Sequence, residues 1–334
     1  MENVDMSNVG LVSFIVVNYN GKKYLKDCIL SIERQTYKDF EIVIVDNGSK
    51  DGSSEYVRTN FPHVKLVELD NNRGFAGGNN KGLLHCSGKY VALVNNDVVL
   101  DDHWLMNALE AISTTDSVGM VSTKIFVKGT DILDSVGDRF TSAFTGTKVG
   151  EGCRGSMFEG GVEVDGVCAA AALYRTEMIK EIGFFDEDLF LNYEDTDLNF
   201  RAWLRGWKCS YANKSVAYHL VNATIGAMSP TSVYFFSRNS FLVLLKNFPL
   251  RLIVRRLPQR IFYEIIAFLY YAVINKRLIS YVKGKVDALL LLPRIIKKRK
   301  EMVLHVKLSD EEILCHQYPI FRHIFDIVRC KCLK

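Results

Sequence analysis

The sequence predicts an α/β fold in which helices cover both faces of a mostly parallel sheet, followed by a helical C-terminal appendage. Strand patterns alternate with helical patterns over about the first hundred residues, which is typical of parallel βαβ units. Polar residues follow three successive strands, and ligands collect at the carboxyl ends of strands in such sheets. We therefore expect a nucleotide site at one edge of the sheet.

Apolar runs rich in β-branched residues define the predicted strands. They cover residues 11–17, 40–45, 64–69 and 89–100. From Tyr24 to Arg34 apolar residues recur at helical spacing, which predicts a helix between the first two strands. A further helix is predicted from Asn80 to Ser87, before the fourth strand.

The fourth run, from Lys89 to Leu100, is predicted to be one buried strand that carries Asn95, Asn96 and Asp97. Because ligands bind at the ends of such strands, we expect Asp97 to lie at the edge of the sheet and face a ligand. The alternative is a turn whose Asn and Asp side chains merely cap a bend in the chain.

The glycine-rich stretch from Gly74 to Gly78 differs from a dinucleotide-binding loop in its place and spacing. It follows the third strand rather than the first, and no Walker lysine pattern is present. Glycine permits close approach of a ligand, and Arg73 adds a cation, which favours a pyrophosphate or base contact at this turn. The alternative is a flexible turn with a solvated arginine.

Charge distribution divides the chain into an acidic part, residues 1–237 (the body), and a basic part, residues 238–334 (the tail). The 48% hydrophobic and 24% charged content is that of a folded protein, which excludes disorder. Residues 238–334 carry 20 Lys and Arg against 7 Asp and Glu, whereas the preceding residues carry 22 against 31. Long aliphatic runs interrupt the basic residues, which favours a surface-seeking appendage and no nucleic acid partner.

The eight cysteines are scattered without the spacing of a zinc site or a disulfide framework. Cys330 and Cys332, near the C-terminus, are too isolated to predict a metal ligand pair. No signal peptide pattern is present at the N-terminus, and a reducing cytosolic compartment is therefore expected.

Two apolar stretches of the tail favour contact with a membrane surface. Residues 261–274 would form a helix of roughly 21 Å, short of the roughly 30 Å hydrocarbon core, and are not expected to span it. Residues 289–300 place an aliphatic block beside five cations, which suits a helix lying in an anionic interface. The alternative is a helical appendage packed on the body with a solvated basic end.

Four motifs together resemble family-2 glycosyltransferases of the GT-A fold, most closely the rhamnosyltransferase-like subgroup. They are Val17-Asn18-Tyr19-Asn20-Gly21, Val45-Asp46-Asn47-Gly48-Ser49, the run from Asn72 to Asn80, and Leu93-Val94-Asn95-Asn96-Asp97. The resemblance continues through residues 183–187 and 193–198 to His219, and covers roughly residues 11–225.

The resemblance implies a set of residues around the nucleotide sugar. These are Val17, Asn18, Asn20, Asp46, Asn47, Arg73, Gly74, Gly78, Asn79 and Asn96. Asp46 takes the position that contacts the pyrimidine ring, and a carboxylate can accept the N3 proton of uracil or thymine. Asn96 can hydrogen-bond a ribose hydroxyl.

The implied metal site departs from the family pattern. The acidic motif commonly reads Asp-x-Asp, whereas only Asp97 of Asn95-Asn96-Asp97 is a carboxylate here. His219 matches a histidine that completes the metal site in related enzymes, and the two residues suit Mn²⁺ or Mg²⁺ with diphosphate oxygens. The alternative for His219 is a satisfied histidine of the core.

The acidic cluster of Glu194, Asp195 and Asp197 is implied to carry the catalytic base. The second residue of the Glu-Asp pair, Asp195, takes that role in the family, with Glu194 beside it. The alternative is a helix start stabilised by acidic residues. Asp186, Glu187 and Trp203 are expected on the acceptor side, although a tryptophan on this helix equally favours the core.

The expected organisation is a catalytic domain over 1–230 and a basic, apolar helical region over 231–334. The nucleotide-sugar half covers residues 11–125 and the acceptor half 126–230, with loops from Lys128 to Gly161 around the acceptor. A strand is predicted from Val162 to Tyr174.

The resemblance implies a metal-dependent inverting enzyme that moves rhamnose or a hexose from a dTDP- or UDP-sugar. Its acceptor would be a hydroxyl of a lipid-linked or surface polysaccharide, and the enzyme would lie on the inner face of the cell membrane. One alternative is a sugar nucleotidyltransferase, which would not explain Glu194 and Asp195 far downstream of Asp97. Another is a non-catalytic glycan-binding or scaffold subunit, which Asn95 and Asn96 leave open.

Overall fold

The computed structural model describes residues 9–221 and 228–322, whose strands form one large sheet and a hairpin. The strands are β1 Val12–Asn18, β2 Phe40–Asp46, β3 Lys65–Glu68, β4 Tyr90–Val94, β5 Val98–Leu100, β6 Val118–Val127, β7 Leu133–Ser135, β8 Asp138–Phe140, β9 Gly146–Lys148, β10 Ala171–Arg175 and β11 Lys208–His219. The large sheet has the order β3-β2-β1-β4-β10-β6-β11-β5, with β7 paired to β6, and β8 pairs with β9.

Helices surround this sheet and form most of the C-terminal region. They are α1 Lys22–Glu33, α2 Ser53–Asn60, α3 Gly74–Leu83, α4 Trp104–Ile112, α5 Thr176–Ile182, α6 Glu194–Leu204, α7 Pro230–Asn247, α8 Leu250–Arg255, α9 Leu257–Ala267, α10 Leu278–Leu290, α11 Leu292–Leu304 and α12 Asp310–His316. A 3₁₀ turn covers Gly155–Phe158, and a π-helical segment, Phe268–Ile274, continues α9.

The predicted α/β class, with helices on both faces of the sheet, is confirmed. β1 pairs in parallel with both β2 and β4, and β3 extends this parallel half. Alternate residues of β1 enter two cores, because successive side chains of a strand point to opposite faces. Phe14 and Val16 pack in a core with Leu25 of α1 and Trp104 of α4, whereas Ile15 packs in another with residues of α3, α5 and α6.

The prediction of one strand from Lys89 to Leu100 is wrong. The run divides at residues 95–97 into β4, which pairs with β1, and β5, which pairs with β11 near the other edge of the sheet. Three consecutive polar residues favour a turn over a strand, and β11 offers pairing to the short apolar run after it. Asn95 to Asp97 therefore form a turn between two strands.

The prediction of a turn from Gly74 to Gly78 is also wrong, because the glycines form the first half of α3. A Cβ atom on Gly78 would lie 2.7 Å from Cγ1 of Val17, and one on Gly82 would lie 2.7 Å from Cγ2 of Ile15. The glycines therefore let α3 pack closely on β1, and this contact outweighs the low helix propensity of glycine. The helix predicted from Asn80 begins at Gly74 instead.

The C-terminal helices share a core with the acceptor half of the chain. Phe140 of β8 packs against Phe200 of α6, and Phe144 packs against Phe248, each with ring centroids 4.2 Å apart. Residues of α7, α8, α10, α11 and α12 complete the same cluster. The tail is helical as predicted within the described residues, and it packs on the body rather than extending from it.

One helix of the described residues is long and apolar enough to cross a membrane, judged by length and composition. It runs over 18 residues from Leu257 to Ile274, with a mean hydropathy of 1.2 and 17% of its residues buried inside the protein. The sequence predicts a shorter helix over the most apolar stretch, 261–274, whereas the observed helix begins at Leu257 and has Pro258 in its first turn. Proline is tolerated in the first helical turn, because a backbone N–H at that position has no acceptor within the helix.

The described cysteines are Cys28, Cys86, Cys153, Cys168, Cys209 and Cys315. Five of them have free thiols, whereas Cys153 is disulfide-bonded, a pairing that the scattered spacing did not predict. Cys330 and Cys332 lie outside the described residues.

Candidate active site

Polar residues from the ends of β1, β2 and β4 meet at one edge of the sheet. Asn96 donates from Nδ2 to Oδ1 of Asn18 at 2.7 Å, and Asn18 donates to Oγ of Ser49 at 3.2 Å. A Cβ atom on Gly21 would lie 2.1 Å from Nδ2 of Asn96, so glycine is required where this turn crosses the asparagine pair. The parallel pairing of the three strands brings these distant residues together, as the sequence predicts.

Asp46 lies at the end of β2 and is buried, with a relative exposure of 5%. Its Oδ1 accepts from the backbone N–H of Ser49 at 3.3 Å, and its Oδ2 accepts from the hydroxyl of Ser54. Neighbouring Asn20 has a positive φ of 50° and accepts from the N–H of Lys50 at 2.7 Å. The loops after β1 and β2 are therefore fastened to each other beside Asp46.

Asn47 fixes the loop that leads into α3. It accepts from the N–H of Arg73 at 2.9 Å and donates to the carbonyl of Gly74 at 2.9 Å. Gly74 has a φ of 71°, and a Cβ there would lie 2.3 Å from the carbonyl oxygen of Phe190. Asn79 is buried and donates to the carbonyl of Phe75. The side-chain amides of Asn47 and Asn79 thus hydrogen-bond to backbone groups of this loop and of α3. Arg73 directly precedes the first turn of α3.

Asp97 and His219 come together because β5 pairs with β11. Val98 lies opposite His219 in this ladder, and the N–H of Leu220 donates to the carbonyl of Asp97 at 3.1 Å. The His219 Nε2 atom lies 3.3 Å from Oδ1 of Asp97, and Nδ1 lies 2.9 Å from Oδ2 of Asp134. Both metal candidates therefore share one place, and Asp134 is a third member that the sequence did not predict.

The carboxylates of Asp97 and Asp134 favour the protonated, cationic form of His219. Burial lowers the pKa of His219, but its hydrogen bonds to Asp134 and Asp97 outweigh burial and raise the pKa to about 9. Asp134 also accepts from Nζ of Lys148 at 2.6 Å, and its cationic neighbours hold the pKa of this buried carboxyl well below the ordinary range. The His219 ring must release this proton to bind a metal ion, and the freed imidazole nitrogen and a carboxylate oxygen then form a donor set that suits Mn²⁺ or Mg²⁺.

Glu194 and Asp195 begin α6 after a strained loop. Phe190, Asn192 and Tyr193 have φ values of 62°, 62° and 71°, a region that non-glycine residues rarely adopt. Asp195 is half-buried, with Oδ1 accepting from the N–H of Thr196 at 2.7 Å. Burial raises the pKa of Asp195.

Glu194 is more deeply buried than Asp195, with a relative exposure of 7%. No hydrogen-bond partner satisfies its Oε2 atom among the described residues. Burial, followed by the neighbouring Asp195, raises the pKa of Glu194 to about 8. The pair at the start of α6 therefore consists of one carboxylic acid that tends to stay protonated and one that keeps access to solvent.

The segment that enters β10 connects the two ends of the site. The N–H of Ala169 donates to Oδ2 of Asp195 at 3.4 Å, and the carbonyl of Ala170 accepts from the N–H of Asn95 at 2.9 Å. Two consecutive residues thus contact the candidate base and the turn that carries Asp97. The predicted strand over 162–174 is confirmed only from Ala171, where β10 begins.

Two of the three acceptor candidates have contacts that favour a structural role. Both oxygens of Asp186 are paired with lysines, Lys246 at 2.7 Å and Lys298. Glu187 accepts from Nδ2 of Asn80 at 3.1 Å and lies against α3, on the nucleotide side. These positions argue against acceptor contact, because the side chains already serve contacts between elements.

Trp203 lies near the C-terminal end of α6, between other rings. Its centroid is 5.2 Å from that of Phe140 and 5.2 Å from the stacked ring of His316. It borders an open cavity of about 440 Å³ together with Leu308, Glu312 and Cys315. These aromatic neighbours agree with the alternative that Trp203 packs in the core.

Comparison with known proteins identifies the family. The model of glycosyl transferase family 2 matches residues 13–183, slightly more than half of the chain. The chain belongs to this family. It is a glycosyltransferase.

Curated relatives of this glycosyltransferase resemble it at low identity. Poly-beta-1,6-N-acetyl-D-glucosamine synthase of Staphylococcus epidermidis is 23% identical over 283 residues, which span 81% of this chain and 67% of that protein. The protein of the same name from Staphylococcus aureus strain COL is 22% identical over 268 residues, spanning 79% and 63%. The chain spans between about half and two thirds of the length of these relatives.

Solved structures of other glycosyltransferases share the fold. S. aureus TarS 1-349 in complex with UDP has a TM-score of 0.53 and 21% identity, with 92% of each chain covered. The mannosyltransferase PcManGT of Pyrobaculum calidifontis, in complex with GDP-Man and Mn²⁺, has a TM-score of 0.51 and 19% identity, covering 88% of this chain and 83% of that one. The predicted GT-A fold is confirmed.

Proposed function

We propose that the enzyme is an inverting glycosyltransferase that uses a dTDP- or UDP-linked rhamnose or hexose. Its acceptor is a hydroxyl of a lipid-linked or surface polysaccharide. The observation that carries this proposal is the meeting of Asp46, the Asp97–His219 pair and Asp195 around the ends of β1, β2, β4 and β10. The names of the relatives, which are polysaccharide synthases, and the UDP complex of TarS support the choice of substrates.

The donor is recognised at the loops after β1, β2 and β4. Asp46 accepts the N3 proton of a uracil or thymine ring, and Asn96 and Asn18 hydrogen-bond the ribose. Arg73, at the start of α3, adds a cation near the diphosphate, and the nearby glycines let the nucleotide approach the backbone. Cytosine carries no proton on N3 and would offer Asp46 no ring donor there, which favours uridine and thymidine nucleotides over cytidine nucleotides.

Asp97 and His219 would hold a divalent cation together with oxygens of the donor diphosphate. When bound, such an ion acts as a Lewis acid on the leaving group. Asp134 holds Nδ1 of His219 and so aims Nε2 toward Asp97. The Mn²⁺ present in the mannosyltransferase complex supports a cation of this type.

Asp195 acts as the general base. It accepts the proton of the acceptor hydroxyl while that oxygen forms a bond to the anomeric carbon, and the bond from this carbon to the diphosphate breaks. The nucleoside diphosphate leaves with the bonding electrons, and the configuration at the anomeric carbon inverts. Glu194, buried beside the base, supports the position of α6 in this site.

The C-terminal helices hold the enzyme at an anionic membrane surface. Exposed apolar residues repeat along one side of α9 and its π-helical extension, at Ile261, Ile265, Leu269 and Val273. Arg260 and Glu264 of the same helix pair with each other and face the protein. A helix whose other side is fastened to the protein in this way suits an interfacial position better than a transmembrane one.

A thermal-shift panel of nucleotide sugars with Mn²⁺ tests the proposal. We expect a dTDP- or UDP-sugar to raise Tm, and Asp97→Ala to abolish the metal-dependent part of that shift. Incubation with the identified donor and Asp195→Asn as control should then show release of nucleoside diphosphate that needs the carboxylate. Release of pyrophosphate would indicate nucleotidyl transfer instead, and no donor binding at all would favour a glycan-binding subunit.

A further inference from the structure

Lys148 is hydrogen-bonded to the metal end of the site and stands on a hairpin that packs against the base end. Its ammonium donates to Oδ1 of Asp134 at 2.6 Å, and the other oxygen of Asp134 lies 2.9 Å from Nδ1 of His219. The side chain of Lys148 remains 36% exposed, so its charge is not sealed within the protein. A lysine ammonium has three donors, and the contact with Asp134 uses one of them.

The hairpin of β8 and β9 places this lysine beside the start of α6. Lys148 lies opposite Asp138 in the backbone ladder of the hairpin. Gly146 of the same strand lies against α6. A Cβ atom on Gly146 would be 2.8 Å from Cγ2 of Thr196. Thr196 follows Asp195 directly, so the hairpin packs against the turn of α6 that carries the candidate base. Lys148, two residues after Gly146 in the same strand, lies on the same face of the strand as Gly146.

Five titratable side chains on several elements interact electrostatically with Asp195. They are Glu194 of α6, Asp138 of β8, Lys148 of β9, Cys168 before β10 and Tyr174 of β10. Lys148 is the single cation of this set. Burial and the neighbouring Asp195 raise the pKa of Asp138 well above its ordinary range, and the Lys148 charge opposes the rise at both carboxyl groups.

We propose that Lys148 is a positioning residue for sugar transfer: anchored on Asp134, its ammonium keeps the half-buried Asp195 as the carboxylate that accepts the acceptor's proton. The inference rests on the proposed function, because it takes Asp195 as the base. A protonated Asp195 could not receive the hydroxyl proton as the new carbon–oxygen bond forms and the nucleoside diphosphate departs. Without the cation, Asp195 and Asp138 would compete for ionisation, since the charge of Asp195 raises the pKa of Asp138 and two neighbouring carboxylates repel each other.

The pH dependence of turnover tests this role, measured with saturating donor and Mn²⁺. Lys148→Met should move the acidic limb of the kcat profile to higher pH by about one unit, which lowers turnover about tenfold on that limb. Activity should recover at alkaline pH, where Asp195 is ionised without help. Lys148→Arg, which keeps the charge, should leave the limb in place, and Lys148→Gln repeats the test if the methionine variant fails to fold.

Lys128→Met is the matched control, because Lys128 also pairs with an aspartate, Asp27, at the protein surface. Its pH profile should equal that of the unmodified enzyme. An unmoved acidic limb in both Lys148→Met and Lys148→Gln, with Asp195→Asn inactive, would overturn the role of Lys148 alone. Full turnover by Asp195→Asn would instead overturn the base assignment in the proposed function. Donor affinity should stay within a few fold in every variant, since Asp46 and Arg73 are untouched.

Discussion

His219 shows how one side chain acquires a defined orientation from its neighbours. Asp134 engages Nδ1, and this leaves Nε2 directed at Asp97, 3.3 Å away. Outer carboxylates of this kind fix the tautomer and direction of a metal-binding imidazole. The contact that matters most for the geometry of His219 therefore comes from a residue outside the recognised motifs.

Asp134→Ala should weaken Mn²⁺ binding by about 10- to 100-fold while the protein stays folded, because His219 loses its orienting partner. Titration calorimetry with Mn²⁺ in the presence of donor measures the change. Asp131→Ala is the control, since this nearby carboxylate is exposed and pairs with Arg154 at 3.8 Å. Equal affinities in the two variants would contradict an orienting role for Asp134.

Glu194 should make stability depend on pH. Its pKa of about 8 lies above the ordinary 4.5, so the folded state keeps a proton that the unfolded chain releases between these values. The free energy of unfolding therefore falls as pH rises from about 4.5 to about 8, because the folded state binds more protons. Glu194→Gln should remove this fall and have the higher Tm at pH 8.5, with little difference at pH 4.5.

Thermal unfolding of both proteins across this pH range measures the effect. The exposed Glu110 on α4 offers a control, since Glu110→Gln should leave the shape of the pH dependence unchanged. A Glu194→Gln variant whose Tm follows that of the unmodified protein at every pH would show that the side chain is ionised when folded.

At the scale of elements, α7 holds the loop that precedes α6, the helix that carries the proposed base. Asn239 is fully buried, and its Nδ2 donates to the carbonyls of Leu189, Leu191 and Asn192 at 2.8, 2.9 and 2.7 Å. Arg238 adds a bond to the carbonyl of Leu189 at 2.9 Å. Residues in the left-handed region cost about 1–3 kcal/mol each and persist only where surrounding contacts fix them. The hydrogen bonds from Asn239 and Arg238 of α7 fix the left-handed residues of this loop in place.

Asn239→Leu preserves volume but removes the three hydrogen bonds that Asn239 donates to the loop. Unsatisfied buried carbonyls cost about 1–3 kcal/mol, so the free energy of unfolding should fall by this order. Turnover should fall further than donor binding, because the loop sets the position of Asp195 while Asp46 is remote from α7. Denaturant unfolding, kcat and donor affinity are the measurements, with exposed Asn60→Leu as control.

Lys246 and Lys298 fasten the same loop through ion pairs. Lys246 is buried and lies 2.7 Å from both Asp186 and Asp197, while Lys298 of α11 reaches Asp186 and Asp188. Removing one partner of a buried pair leaves a charge without compensation. The C-terminal helices therefore help to hold the loop before α6, and a variant lacking Lys298 would not test membrane binding alone.

For the whole molecule, the C-terminal helices carry exposed apolar side chains that the proposed active site does not use. Val282, Val286 and Leu289 of α10 repeat at helical spacing and are each about half exposed, as are Ile265 and Val273. Exposed apolar side chains that recur along one side of a helix favour a contact surface. Exposed cations lie beside it, which favours anionic lipid as its partner.

Replacing Ile265, Leu269 and Val273 with Asn should reduce binding to anionic liposomes without changing donor hydrolysis. Co-sedimentation at low and high salt measures the loss, and Leu84→Asn, a change at a similarly exposed leucine of the body, is the control. Binding that is absent from the unmodified protein would show that this surface serves another contact, such as a second copy of the chain.

The basic part of the surface has a narrower test. Lys297 and Lys300 are exposed, whereas Lys298 is committed to Asp186 and Arg299 donates to the carbonyl of Leu245. Lys297→Gln with Lys300→Gln should lower liposome binding by up to about 2 kcal/mol, at roughly 1 kcal/mol per cation. Added salt should mimic this loss, because it screens the same charges.

The sequence by itself determined the α/β class, the parallel half of the sheet and the residues at the ends of β1 and β2. These depend on periodicity and on short motifs, which are local properties of the chain. The pairing of Asp97 with His219 was predicted only through resemblance, because 121 positions separate the two residues.

Tertiary structure decided what local pattern could not. The division of 89–100 into two strands, and so the place of His219 beside Asp97, required β11 to be available for pairing with β5. The helix at Gly74 required the close approach of β1, against the propensity of glycine. Asp134, Lys148 and Asn239 carry no motif, since each acts through a partner far away in sequence. Their roles arise only when packing brings β7, β9 and α7 around the site.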